Sequence, residues 1–273
     1  MKNLRFVAAL LAALMTVTMF AQATGELPAE QKPLAGEVNT VDGVAAEAVS
    51  SPDDWNLLLV NPWNKLPENY VMEQRRLANG LTVDARIYDD LNAMLIDCWG
   101  AGLHPVVCSA YRSQATQQRL YNNKIARLRA AGYGWNSAVK EAGRWVAAPG
   151  TSEHQTGMAL DIVSYKYQLL TEKQAETAEQ QWLMEHCWEY GFILRYPKEK
   201  TGVTGIGYEP WHYRYVGRAA AAAMKESGQC LEEYLETLRN PEAVVADAVE
   251  ETAELEAVAE PTKANTTEQK QHT

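Results

Sequence analysis

All eight Trp and all thirteen Tyr of this 273-residue chain lie between Trp55 and Asn240. Aromatic side chains bring the largest apolar area to a protein interior, so a packed core is expected there and not in the flanks. Residues 24–54 hold seven acids against a single base, Lys32, and no aromatic residue. Residues 241–273 hold eight acids against Lys263 and Lys270. Such stretches bury too little apolar surface to offset the entropy of ordering, and they read as an acidic disordered linker and an acidic disordered tail.

The first 23 residues follow a third pattern. Lys2 and Arg5 make a basic head, Phe6 to Phe20 is apolar apart from Thr16 and Thr18, and Ala21-Gln22-Ala23 places small residues at the positions a signal peptidase reads. A signal peptide cleaved after Ala23 is the expectation. It leaves 250 residues working as a secreted or cell-surface protein. A retained N-terminal anchor is the alternative, although a run of 15 residues is short of the roughly 20 needed to span a bilayer.

Charge follows the same division. The chain carries −10 overall, which argues against broad attraction to nucleic acid or anionic lipid. The two flanks contribute −6 each and the basic head +2, so the twenty acids and twenty bases of residues 55–240 cancel. Acidity therefore belongs to the flanks, where it serves solubility and spacing. Recognition by the central segment must rest on local groups.

Within that segment, Ile87, Leu91, Met94, Leu95 and Cys98 recur at helical spacing and predict a helix over 84–99, stopped by Gly100 and Gly102. Pro105 to Cys108 reads as a short buried strand. Ser113 caps a helix running to about Ala131, and a second follows near 137–147. Strand-like runs lie at 158–164, 192–196 and 211–215, a long helix at 172–190, and two more helices at 218–226 and 230–239. Helices and short strands without regular β-α-β alternation predict one α+β domain over 55–240, with a small, largely antiparallel sheet flanked by helices. No coiled-coil seam is present, so a monomer is expected. Cys98, Cys108, Cys187 and Cys230 permit two disulfides in an exported protein, or four buried thiols.

Three clusters carry chemistry. In Thr151-Ser-Glu-His154-Gln-Thr-Gly-Met-Ala-Leu-Asp161, a neutral nitrogen ligand precedes a carboxylate set between Leu160 and Ile162, where burial without a cation or donors is costly. In Tyr208-Glu209-Pro-Trp-His212-Tyr-Arg214-Tyr, Pro210 keeps Glu209 on the loop before the strand that His212 begins. His154, Asp161 and His212 would make a three-ligand site with an open fourth position, and Glu209 would serve as a base. Ser109-Ala-Tyr-Arg112-Ser113, at a strand-to-helix junction, suits Arg112 to a carboxylate or an oxyanion. Each residue also has a structural reading: satisfied core polar groups, a helix-capping Arg112, and Glu209 as a partner of Arg214. His104 and His186 are read as structural, with His186 on the core face of its helix.

Together, Ser109-Ala-Tyr-Arg112-Ser113, Ser152-x-His154-x-x-Gly157-x-Ala159-x-Asp161 and Glu209-Pro-Trp-His212-Tyr-Arg214-Tyr-Val-Gly217 resemble the motif set of the VanY-type D-alanyl-D-alanine carboxypeptidases. These are zinc peptidases of bacterial cell walls related to the VanX dipeptidases, and the likeness spans about residues 100–220. It implies one zinc (Zn2+) per chain on His154, Asp161 and His212, with Glu209 as general base and then acid. It implies Arg112 on the scissile carbonyl oxygen or the terminal carboxylate, and Ser152 and Gln117 as polar contacts to substrate. The implied substrate is a peptidoglycan stem peptide or precursor ending in D-alanine. Ala110 stands where the family often has Gly, and Gln114 where an aromatic residue is usual. An L,D-carboxypeptidase or a D,D-dipeptidase would share these motifs, and a zinc-bearing cell-wall binding module is a rival of another class.

Overall fold

The computed structural model describes residues 50–241. In chain order these form β1 (Gln74–Arg76), β2 (Thr82–Asp84), α1 (Tyr88–Gly100), β3 (Pro105–Ser109), α2 (Gln114–Ala130), α3 (Trp135–Gly143) and β4 (Ala159–Ser164). Then follow α4 (Ala178–His186), β5 (Phe192–Leu194), α5 (Thr201–Thr204), β6 (His212–Tyr215), α6 (Arg218–Ser227) and α7 (Leu231–Arg239). β1 and β2 pair as a hairpin, and the main sheet has the order β3-β4-β6-β5 with every pair antiparallel. The α+β expectation holds.

The two faces of the sheet have different jobs. Every residue of β4 is buried, yet its alternate side chains point opposite ways. Leu160 and Ile162 enter the principal core with Leu91 and Met94 of α1, Leu183 of α4, Phe192 and Tyr213. Burying a side chain of that size contributes roughly 1.5–3 kcal/mol. Asp161 points the other way, and its register partner His212 does so too.

A bulge brings β3 into the same arrangement. Val107 pairs with Ile162, so regular pairing would set Ser109 opposite Leu160, facing the core. Instead Ser109 pairs with Asp161, because the register shifts by one residue at Cys108. The inserted Cys108 is pushed outward and exposed, and Ser109 is re-aimed beside the carboxylate.

Around this sheet, α6 and α7 close a second core with Ile193 and Val216. α2 and α3 form a helical hairpin on a small cluster of Ile125, Ala138 and Ala142.

Several boundaries differ from the sequence reading. The helix expected from Asp84 starts at Tyr88, because Asp84 ends β2 and its carboxylate caps a 3-10 turn by accepting from the Arg86 backbone N–H. The single helix expected over 172–190 is a 3-10 turn, α4 and another 3-10 turn. Thr177 is extended and its hydroxyl caps α4 by accepting from the Gln180 N–H. The helix expected near 137–147 runs Trp135–Gly143. All four cysteines are free thiols, three of them buried. His186 faces Trp182 and Glu189 at the surface rather than the core. The proposed signal peptide, and all but the edges of the two acidic flanks, lie outside the described residues.

Candidate metal centre and active-site cleft

Three segments meet on the polar face of the sheet. His154 sits in a 3-10 turn, Glu153–Thr156, that ends at Gly157 with φ of 74°. That left-handed geometry turns the chain into β4 within one residue, and glycine adopts it without the penalty a side chain would bring. Asp161 lies in mid-strand, and His212 opens β6 directly opposite. The turn before β6 is closed by the His212 N–H donating to the Glu209 carbonyl at 3.0 Å. Glu209 is thereby set on the same face.

The donor atoms converge. His154 Nε2 and His212 Nδ1 each lie 3.3 Å from Asp161 Oδ1, and one ligand atom from each residue falls within a 4.8 Å group. Donors about 2.1 Å from a tetrahedral ion stand about 3.4 Å apart. Asp161 Oδ1 is buried with no hydrogen-bond partner among the described residues, a costly state for a carboxylate without a cation. The other ring nitrogen of His154, Nδ1, sits 2.7 Å from the Ala110 carbonyl, which fixes the tautomer leaving Nε2 free to ligate. The set of two imidazoles and one carboxylate suits zinc.

Electrostatics follow from burial and crowding. Burial favours neutral His154, and Arg112 adds to this, lowering its pKa to about 4. Burial also opposes the charge on His212, but Asp161 and Glu153 outweigh it and raise that pKa to about 9. Burial works against ionised Asp161, yet His154 and Arg112 hold the carboxyl well below the usual range. Glu209 Oε2 lies 3.6 Å from His212 Nδ1, and burial pushes the Glu209 carboxyl up to about 8. In the metal-free site this keeps the Glu209 carboxyl able to gain or lose a proton close to neutral pH, and a cation bound beside it would draw the value down.

The other motif residues divide. Arg112 donates from Nε to Ser109 Oγ at 2.9 Å and from Nη2 to Asp161 Oδ2, so it braces a candidate ligand while lining the cleft. Ser152 is buried and lines the cleft. Gln117 is fully buried behind the wall and donates to the Ala147 carbonyl at 2.7 Å; it does not line the cleft. Trp211 lines the cleft, whereas Tyr213 belongs to the core. Arg214 does not pair with Glu209: it reaches Glu153 at 2.9 Å and the carbonyls of Asn56 and Leu58.

Glu153 is the functional residue that motif reading passed over. Its Oε1 accepts from Arg195 at 2.8 Å and from Arg214 at 2.9 Å, all three side chains having no exposure. Its Oε2 faces His212 Nε2 at 3.6 Å. Arg195 continues to Glu232 on α7 at 2.7 Å. The buried charges therefore run from a candidate ligand to the last helix. The cleft itself is a cavity of about 650 Å3, walled by α2, Trp145, the 170–172 segment and the loop carrying Glu209.

The chain is similar to several known proteins. The family model for VanY, D-alanyl-D-alanine carboxypeptidase, matches residues 80–218. A D-alanyl-D-alanine carboxypeptidase of Enterococcus faecalis is 41% identical over 201 residues, covering 74% of this chain and 72% of the relative. The vancomycin-resistance D,D-pentapeptidase VanY, crystallised as an alanine variant in complex with Zn(II), is 42% identical with a TM-score of 0.62, covering 67% of this chain and 99% of its own. The LD-carboxypeptidase LdcB is 34% identical with a TM-score of 0.56, covering 65% and 84%.

Proposed function

This chain belongs to the VanY family of D-alanyl-D-alanine carboxypeptidases, and we propose that it is a zinc-dependent peptidase removing the terminal D-alanine from peptidoglycan stem peptides or their precursors. The observation that carries the reading is the buried Asp161 Oδ1, without a hydrogen-bond partner among the described residues, between two histidine nitrogens, with Glu209 beside one of them. His154, Asp161 and His212 would hold one zinc per chain. Bound there, the metal would supply a Lewis acid that polarises a carbonyl and acidifies water.

The chain's own residues do the rest. Glu209 takes the proton of the attacking water and returns it to the leaving amine. Arg112 Nη1 makes no hydrogen bond among the described residues and is free to stabilise the oxygen that gains charge. Ser152 adds a polar contact at the cleft wall, while Gln117 supports the Ala147 backbone from behind. Export follows from the signal-like first 23 residues, since the proposed substrate lies outside the cytoplasmic membrane.

A D,D-carboxypeptidase is preferred because the D,D-pentapeptidase relative is the more similar of the two compared structures. Metal-loaded protein is incubated with a pentapeptide ending in D-Ala-D-Ala, a tetrapeptide ending in one D-Ala, and free D-Ala-D-Ala, and products are weighed. Loss of one alanine from the pentapeptide is expected to be fastest. Cleavage of only the tetrapeptide, or only the dipeptide, would overturn the D,D-carboxypeptidase assignment.

A further inference from the structure

The cleft extends past the three candidate ligands, and its far wall carries charge that makes no contact with them. Leu120, Asn123, Lys124 and Arg127 of α2 all line it, their spacing placing them on one helical face. Lys124 is half-buried, with its ammonium 5.7 Å from the centre of the Trp145 ring, another lining group. Trp145 packs in turn on Gly207, two residues before Glu209. Among the described residues, neither Lys124 nor Arg127 has a carboxylate within ion-pair distance. Lys124 acts on Glu209 only at longer range, and a half-buried cation on a cleft wall with no carboxylate in contact is one that a ligand can satisfy.

Length decides which part of a ligand that is. From Leu120 to Arg127 α2 advances about 10 Å at 1.5 Å per residue, the reach of about three extended residues at roughly 3.4 Å each. A carboxypeptidase releases a single residue, so only the acyl side of its substrate is long enough to follow this wall. We propose that Lys124, with Arg127 one turn further on, recognises a carboxylate on the acyl part of the peptide, two or three residues before the scissile bond. This rests on the carboxypeptidase reading above, and it makes Lys124 a specificity-determining residue that contacts the acyl part of the substrate, its charge reaching Glu209 only at longer range.

The test uses zinc-loaded full chain and acetylated tetrapeptides ending in D-Ala-D-Ala, with Glu or Gln placed second or third before the scissile bond. D-Alanine release gives kcat and KM, and calorimetry on the Glu209→Gln protein gives Kd. At one of the two positions Glu is expected to be preferred over Gln by about tenfold, in KM and Kd rather than kcat. Lys124→Gln should erase that preference and Arg127→Gln should weaken it, whereas Lys140→Gln, on the exposed part of α3, should preserve it. Equal handling of Glu and Gln by the unaltered protein, or a preference that survives Lys124→Gln, overturns the assignment. A binding preference that Lys124→Gln abolishes, in a protein that releases no D-alanine from any peptide, would uphold Lys124 and contradict the carboxypeptidase reading.

Discussion

Glu153 Oε2 and His212 Nε2 face each other across 3.6 Å, and neither atom has a hydrogen-bond partner among the described residues. The carboxylate cannot turn away, because Arg195 and Arg214 hold its other oxygen from two directions. A metal-ligating histidine commonly donates its second ring N–H to such a carboxylate, which fixes the ring and raises its basicity. His212 thus presents Nδ1 toward Asp161 because Glu153 occupies its other side.

Replacing Glu153 by Gln should act on metal and fold together. Zinc affinity, measured by competition with a chromophoric chelator, is expected to fall about tenfold to hundredfold. Buried Arg214 also loses its one carboxylate among the described residues, while Arg195 keeps Glu232, which should lower stability by about 3 kcal/mol in denaturant unfolding. Unchanged zinc affinity in the folded variant would remove Glu153 from its positioning role.

Zinc binding should be coupled to protons. Without metal, His212 holds its proton up to about pH 9, while His154 is neutral above about pH 4. Between those values an incoming ion must displace the His212 proton, and its charge draws Glu209 below its value of about 8. Apparent affinity should therefore improve at least tenfold per pH unit from pH 5 toward 9 and then level off. Calorimetry in buffers of different ionisation enthalpy should report between one and two protons released per ion at pH 7. Release of none would contradict this charge arrangement.

Gly157 joins the His154 turn to β4 at φ of 74°. A Cβ there would stand 2.9 Å from the Asp84 backbone nitrogen, and that nitrogen is pinned by donating to the Gly157 carbonyl at 3.0 Å. Gly157→Ala combines left-handed strain with a backbone clash, together about 3 kcal/mol. Urea unfolding of the metal-free protein checks this, and a loss below about 1 kcal/mol would contradict it.

How much of this was legible in the sequence depends on the range of each interaction. The apolar stripe from Leu91 to Cys98 is local, and α1 forms over it, starting later than expected because the Asp84 cap is a side-chain contact that periodicity does not show. His154, Asp161, His212 and Glu209 were legible because three motifs coincide in order, and the sheet does bring them together. The charge partners of Glu153 stand 42 and 61 residues away, and no periodicity links such distant positions. The bulge at Cys108 carries no turn signal, since Val107 and Cys108 fit an unbroken buried strand equally well. The β1–β2 hairpin escaped because Gln74, Arg75 and Arg76 are all exposed, which leaves no apolar alternation to detect. The Arg112 contact to Asp161 spans 49 residues, so nothing local in Ser109-Ala-Tyr-Arg112-Ser113 shows that one of its N–H groups is taken.

The central claim is that His154, Asp161 and His212 hold a zinc on which D-alanine release depends, with Glu209 moving the proton. Release of D-alanine from a D-Ala-D-Ala-terminated pentapeptide, followed during zinc titration of chelator-stripped protein, tests it most directly. The account predicts activity rising linearly to one zinc per chain, and a Glu209→Ala protein that binds the same zinc but turns over about a hundredfold to ten-thousandfold more slowly. Full release by stripped protein, or substantial release by zinc-loaded Glu209→Ala, would contradict it.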